Sequence, residues 1–234
     1  MSVIMTIGAH VGDMELTAGG VIATEYLKGN RAVMVSLTAG EKGAPSDISV
    51  SEYRKQKIRE AEAFAAEFDG VAIVMDAEDG RLEETDDIVW RLVDLIRLYK
   101  PDVIITHWKN SIHKDHAAAS RIAEHARYFA GNNGFERENP PHPCPRMFFA
   151  ENLEDKDGFS PFLYVDISAG YEKWISAVRK MEFVTKSKDH RYLDYYAALS
   201  TVRGCESNCD KAEAFMVREM FSHVETHSIL DFWR

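Results

Sequence analysis

The chain lacks what would place it in a membrane, in an oxidising compartment or on a nucleic acid. Nowhere do about 18 apolar residues follow one another, the length a membrane-crossing helix needs. The start runs directly into a strand pattern, with no basic region leading into a long apolar one. Three cysteines, an odd number, give no disulfide framework. Cys205 and Cys209 stand four apart, but no second pair and no histidine of matching spacing completes a metal site around them. Cations are in deficit, 28 Lys and Arg against 38 Asp and Glu, and the resulting charge of −10 repels phosphate backbones and anionic headgroups. Internal repeats and low-complexity tracts are missing too. These absences predict a soluble cytoplasmic protein whose partner is a small molecule, with no nucleic acid and no stable membrane association.

What is present is apolar periodicity. With 234 residues, 45% of them hydrophobic, the chain can bury one large core. We expect a single domain over residues 1–234, the part from about 147 onward completing the sheet and the substrate pocket. Strand patterns near 3–9, 31–38, 71–75 and 102–107 alternate with helical ones from Glu15 to Lys28, Ser51 to Phe68, Asp86 to Tyr99 and Asp115 to Phe129. This alternation predicts a Rossmann-like α/β fold: a doubly wound, mostly parallel sheet with helices on both faces. Two further strands are expected at 147–150 and 162–167, then helices from Glu172 to Lys186 and from Lys211 to about Phe221. The turn-rich stretch 131–145 is taken as a surface loop near the site, and the apolar end 228–234 as a segment that docks on the domain or on a neighbouring subunit.

Two polar clusters each follow a β-branched run: His10-Val11-Gly12-Asp13 and His113-Lys114-Asp115-His116. Loops leaving the carboxyl ends of parallel strands converge on one crevice, so the clusters can meet there. Imidazoles and a carboxylate together form a donor set for zinc or ferrous iron that leaves positions open for water and substrate. Each cluster also has a plainer reading. Asp13 is a natural helix cap and His10 a satisfied polar residue, while His113, Asp115 and His116 would suit a solvated helix start. Asp115 could also hold the His113 ring in its protonated form. His107 either lines the pocket or is a packed polar residue. His125, His142, His190, His223 and His227 read as surface or supporting residues. Arg54 and Arg59 read as part of a solvated helix face.

These residues resemble the zinc-dependent de-N-acetylases of the PIG-L or LmbE-like family. The opening Ala-His-Pro-Asp-Asp motif of that family, with its acidic residue and Gly-Gly helix, is similar to Ala9-His10-Val11-Gly12-Asp13-Met14-Glu15 and Gly19-Gly20. Its His-x-Asp-His motif, after a Pro-Asp-Val strand, is present as His113-Lys114-Asp115-His116. Weaker echoes run through Thr38 to Gly43, Asp79 to Leu82, Val165 to Ser168 and Arg203-Gly204. The resemblance implies that His10, Asp13 and His116 hold one Zn2+, with Fe2+ or another divalent ion as alternatives. It implies that His113, assisted by Asp115, stabilises the oxyanion. It further implies an amino-sugar conjugate of the N-acetylglucosamine type as substrate, removal of the N-acetyl group, and a homo-oligomer.

One departure matters. Gly12 stands where the family has the aspartate that takes a proton from water, and Val11 replaces its proline. Glu41, then Asp115, are the carboxylates considered as substitutes. Loss of the base leaves three readings: a deacetylase with a rearranged base, a metal hydrolase of another amide or ester, or a non-catalytic sugar-binding protein. Arg81, Arg203 and Trp108 are candidates to touch the substrate, the two arginines because turns would present them and Trp108 because an indole stacks on a sugar ring.

Overall fold

The architecture was obtained as a computed structural model, which describes residues 1–144, 146–187 and 190–218. Seven strands form one sheet in the order β3-β2-β1-β4-β5-β7-β6. They are β1 Val3–Gly8, β2 Arg31–Ser36, β3 Val71–Val74, β4 Val103–His107, β5 Arg146–Ala150, β6 Leu163–Asp166 and β7 Ala212–Met216. The first five run parallel, and β7 lies antiparallel between β5 and β6. The helices are α1 Asp13–Thr17, α2 Gly19–Leu27, α3 Val50–Ala66, α4 Asp86–Tyr99, α5 Lys114–Ala130, α6 Tyr171–Val178, α7 Glu182–Lys186 and α8 Tyr192–Ser207.

Successive residues of a strand point to opposite faces, and β1 divides the core accordingly. Ile4 joins the cluster of Phe64, Phe68 and Trp174 beneath α2, α3 and α6. Met5 and Ile7 join Leu92, Ile96, Ala119 and Ile122 beneath α4 and α5. Strands apolar on both sides are those a doubly covered parallel sheet requires. The sheet reverses its winding between β1 and β4, and there the carboxyl ends of the strands open a crevice.

Several local expectations are corrected. The first helix is two, because Ala18 at φ −138° interrupts the ladder between α1 and α2. The helix expected from Glu172 likewise breaks into α6 and α7. The helix expected from Lys211 is the strand β7, whose residues are all buried. Ala212-Glu213-Ala214-Phe215-Met216 favours helix by propensity, but the vacant place between β5 and β6 decides. The helix α8 was not anticipated. Stretch 131–145 joins the end of α5 to the start of β5, so it lies at the edge of the sheet opposite the crevice. The segment 228–234 lies outside the described residues.

Arg97 fixes that far edge. Its side chain lies buried on α4 and donates to the carbonyl oxygens of Phe129, Ala130, Asn132, Phe135 and Asn139 at 2.9–3.3 Å. A guanidinium thus satisfies the carbonyls left open at the end of α5 and gathers the following loop around one charge. Replacing Arg97 by Met should lower unfolding stability in urea by about 3 kcal/mol, the scale of charged hydrogen bonds lost from a buried site. Metal binding at the opposite edge should persist.

Candidate active site

The turn after β1 is built from its own carboxylates. Gly12 adopts φ +113°, which side chains disfavour, and this lets the chain reverse from the strand into α1 at Asp13. Glu15 accepts the Gly12 amide at 2.9 Å, and Asp13 Oδ2 accepts the His10 amide at 2.7 Å. A side chain on Gly12 would be strained by the positive φ and would displace Phe183 on α7, whose ring tip lies 2.2 Å from where a Cβ would stand.

Asp13 Oδ2 is the meeting point of three imidazoles. His10 Nδ1 lies 3.2 Å from it, His107 Nε2 3.1 Å and His116 Nε2 3.6 Å. His107 ends β4, and His116 occupies the first turn of α5. Behind these rings sits Asp155, in the loop after β5 and wholly buried. Its two oxygens meet His107 Nδ1 and His116 Nδ1, each at 2.8 Å. The two rings stack with centroids 4.0 Å apart.

The outer side of His10 faces two more carboxylates. Its Nε2 lies 3.1 Å from Asp79 Oδ1 and 3.5 Å from Asp115 Oδ2. Asp115 also accepts the amides of Gly80 and Leu82, tying the loop after β3 to the start of α5. His113 caps α5, its Nδ1 accepting the Asp115 amide at 3.3 Å. Its ring lies edge-on to His10, with centroids 4.7 Å apart.

Burial and pairing set the charges. Burial opposes a charge on His107, but Asp155 and Asp13 outweigh it and hold its pKa at about 9. His10 is raised in the same way against burial, by Asp13 together with Asp115 and Asp79. Burial would raise Asp13 and Asp155, yet the surrounding imidazoles hold both below the ordinary carboxylate range. His113 goes the other way: burial, then the charges of His10 and His116, lower it. His113 is thus favoured as a neutral imidazole, with Nδ1 used as acceptor and the proton left on Nε2.

The donor atoms of His10, Asp13 and His116 all lie within 4.8 Å of one another. The sets His10, His113, Asp115 and His107, His116, Asp155 meet the same spacing. The first set suits a divalent cation best on chemical grounds. With Nδ1–H of His116 given to Asp155, its Nε2 lone pair faces Asp13, the arrangement by which a carboxylate orients a metal-binding imidazole. In the absence of a cation, protons on His10 and His107 balance the carboxylates. A bound cation would displace them.

The structure brings His10, Asp13, His113, Asp115 and His116 together. The Asp115 carboxylate lies near the His113 ring, but the hydrogen bond to that ring comes from the Asp115 backbone amide. Glu41 is committed elsewhere: its oxygens meet Arg54 at 3.1 Å and the Asp79 amide at 3.4 Å. Arg81 is exposed beside Glu78. Arg203 lies in α8 rather than in a turn, bidentate to Glu151 at 2.5 and 2.8 Å. Trp108 is buried edge-on to Phe149 and donates to the Asp157 carbonyl, so its ring is not open to a sugar.

Asp155 escaped the sequence reading, Asp79 entered it only through a motif echo, and His107 only as one of two readings. Asp79 follows β3 as Asp13 follows β1, and strand-end position was its available signal. Lys57 lies on the buried stripe of α3 with Tyr53, Ala61 and Phe64. The helical spacing i, i+4, i+8 marks that stripe in the sequence.

Zinc binding should release protons in weakly buffered solution, and Asp13→Ala or His116→Ala should lower zinc content by at least about tenfold. The raised histidines also fix a pH dependence. In the metal-free protein their contribution to stability is complete below pH 6.5, and that of His107 is lost as pH rises through about 9. Zinc reverses the trend, because it binds the deprotonated rings. Melting temperature followed over that range, with chelator and with zinc, should show opposite slopes.

Comparison with known proteins accords with this geometry. A family model described as PIG-L, GlcNAc-PI de-N-acetylase, matches residues 5–127. Over 211 residues the chain is 25% identical to 4-oxalmesaconate hydratase from Pseudomonas putida, covering 87% of this chain and 80% of that protein. The fold matches the crystal structure of the 4-carboxy-2-hydroxymuconate hydratase of Pseudomonas putida with a TM-score of 0.87, at 22% identity, over 97% of this chain and 100% of the other. It matches the N,N′-diacetylchitobiose deacetylase of Pyrococcus horikoshii with a TM-score of 0.79, at 18% identity, over 98% and 88%. Among the described residues no helix is long and apolar enough to cross a membrane. The matched stretch takes in most of β1 and runs through to α5, which is more than half of the chain and includes both polar clusters, so the chain belongs to the PIG-L family.

Proposed function

We propose that this protein is a metal-dependent enzyme that adds water across an activated carbon–carbon double bond of a small unsaturated oxo-acid. The observation that carries the reading is the closed space at Gly12. The position of the family's proton-accepting aspartate is occupied by the Phe183 ring, and the backbone there has φ +113°. General-base help is worth about 10² to 10⁴ in rate to amide hydrolysis, and Gly12 cannot give it from that position. Addition to a conjugated acid is less demanding, because the adjoining carbonyl already polarises the double bond. The relatives named as hydratases support the same choice.

His10, Asp13 and His116 would hold the divalent ion, Zn2+ or Fe2+. Such an ion supplies Lewis acidity, polarising oxygen groups and lowering the pKa of water. Asp155 and His107 fix the rings around it. His113, neutral and half-buried, offers its Nε2 proton to oxygen developing negative charge in the crevice. Asp79, whose Oδ1 faces the crevice beside His10, accepts the proton from water in place of Glu41, which Arg54 holds. Removal of an N-acetyl group from an amino-sugar conjugate is the second reading, favoured by family membership and the shared deacetylase fold.

The zinc-loaded protein should bleach the ultraviolet absorbance of conjugated oxo-carboxylic acids such as 4-oxalmesaconate. His113→Ala should slow this by about 10² or more, the scale of general acid–base assistance. Amine release from N-acetylglucosamine conjugates, with no bleaching of the acids, would establish deacetylation instead.

A further inference from the structure

The mechanism leaves one buried charged group unused. Lys57 on α3 is 3% exposed, yet among the described residues no carboxylate lies within ion-pair distance of its ammonium and no hydrogen bond is made to it. Its close neighbour is the face of Phe183, with Nζ 3.7 Å from the ring centroid. The tip of that same ring covers Gly12, between His10 and Asp13. Lys57 is therefore one aromatic ring away from the metal-binding turn.

The neighbouring acids make their hydrogen bonds to other groups, and Glu60 Oε2, buried without a partner, does not reach the ammonium. Glu15 accepts the Gly12 amide, and Glu60 Oε1 accepts from Gln56 and from the Glu182 amide. Burial accordingly lowers the Lys57 pKa to about 8, with Glu60, Glu15, Asp13 and Asp79 only partly compensating. An ammonium taken from water without a counter-ion is costly to keep. On the inward stripe between Tyr53 and Ala61, an apolar side chain would pack at no such cost. The other cations near the crevice are already paired, Arg54 with Glu41 and Lys42 with Glu78.

We propose that Lys57 is the anion anchor of the active site: its ammonium receives a carboxylate of a planar unsaturated acid that lies against Phe183. The inference rests on the water-addition reading, and it names that reading's substrate as a dianion or trianion. Around the outer side of the site stand Asp13, Asp79 and Asp115, so an anionic substrate needs a cation besides the metal. Phe183 carries the ammonium over its ring face and turns its tip toward Gly12, so one ring joins the cation to the metal-binding turn.

The test uses the full-length zinc-loaded protein with fumarate, a planar dicarboxylate, as probe, and dimethyl fumarate as its uncharged counterpart. Calorimetric titration should show fumarate binding, little or no binding of the diester, and affinity for fumarate reduced by at least about tenfold in Lys57→Met. Lys57→Arg should recover part of the affinity, and zinc content should be equal in all variants. In turnover, Lys57→Met should raise KM more than it lowers kcat. Equal fumarate affinity in Lys57→Met and wild type, no fumarate binding, or equal binding of acid and diester would overturn the proposal. Should Lys57→Met not fold, Lys57→Gln and the acid-against-diester comparison in the wild type decide it. Lys57-dependent fumarate binding without hydration of any oxo-acid would overturn the water-addition reading alone.

Discussion

The site depends on one buried carboxylate. Asp155 accepts from His107 and His116 together, and by taking both Nδ1 protons it turns both Nε2 atoms toward Asp13. Two stacked imidazoles left without it would be free to turn about their χ angles, and the donor set would lose its common focus. The interaction also joins distant parts of the chain: β4, α5 and the loop after β5 meet at a single side chain with no exposed surface. Asp13 on one side and Asp155 on the other leave His107 and His116 no freedom of tautomer once a cation is bound. The site is rigid because its charges are paired in layers, each carboxylate orienting the imidazole in front of it.

The second constraint is Gly12. Its positive φ is what lets the turn close tightly enough for Asp13 to reach back to the His10 amide. With that geometry a side chain would be strained, and Phe183 fills the space. Gly12 is therefore not an isolated position. It is coupled to an aromatic ring from α7 and, through that ring, to Lys57 on α3. On the water-addition reading, this pairing of an apolar ring with a cation would receive a flat anionic acid.

Much of this was legible in the sequence. The apolar runs and their alternation with helical spacing fixed the first five strands closely, because doubly covered parallel strands leave little ambiguity of pattern. His10, Asp13, His113 and His116 were readable from their place at strand ends. What was not legible came from distance along the chain. Asp155 lies in a polar stretch with no motif of its own, and only the packing of β5 beside β4 brings it under two imidazoles. Lys57 looked like one more charge on a charged helix, although the stripe of Tyr53, Ala61 and Phe64 marked its face as inward. Arg203 looked like a turn residue because Gly204 follows it, yet that glycine lies inside α8, where a Cβ would sit 2.7 Å from the carbonyl oxygens of Cys209 and Asp210. The strand β7 was hidden by helix-favouring residues whose conformation the sheet decides.

The central claim is that the layered carboxylates and imidazoles exist to hold one divalent cation at Asp13. Diffraction from zinc-loaded crystals, recorded on both sides of the zinc absorption edge, tests it directly. The account predicts a single anomalous peak bound by His10, Asp13 and His116, with His107 and Asp155 behind the ligands and Phe183 still over Gly12. A peak bound instead by His107, His116 and Asp155, or by His10, His113 and Asp115, would contradict it.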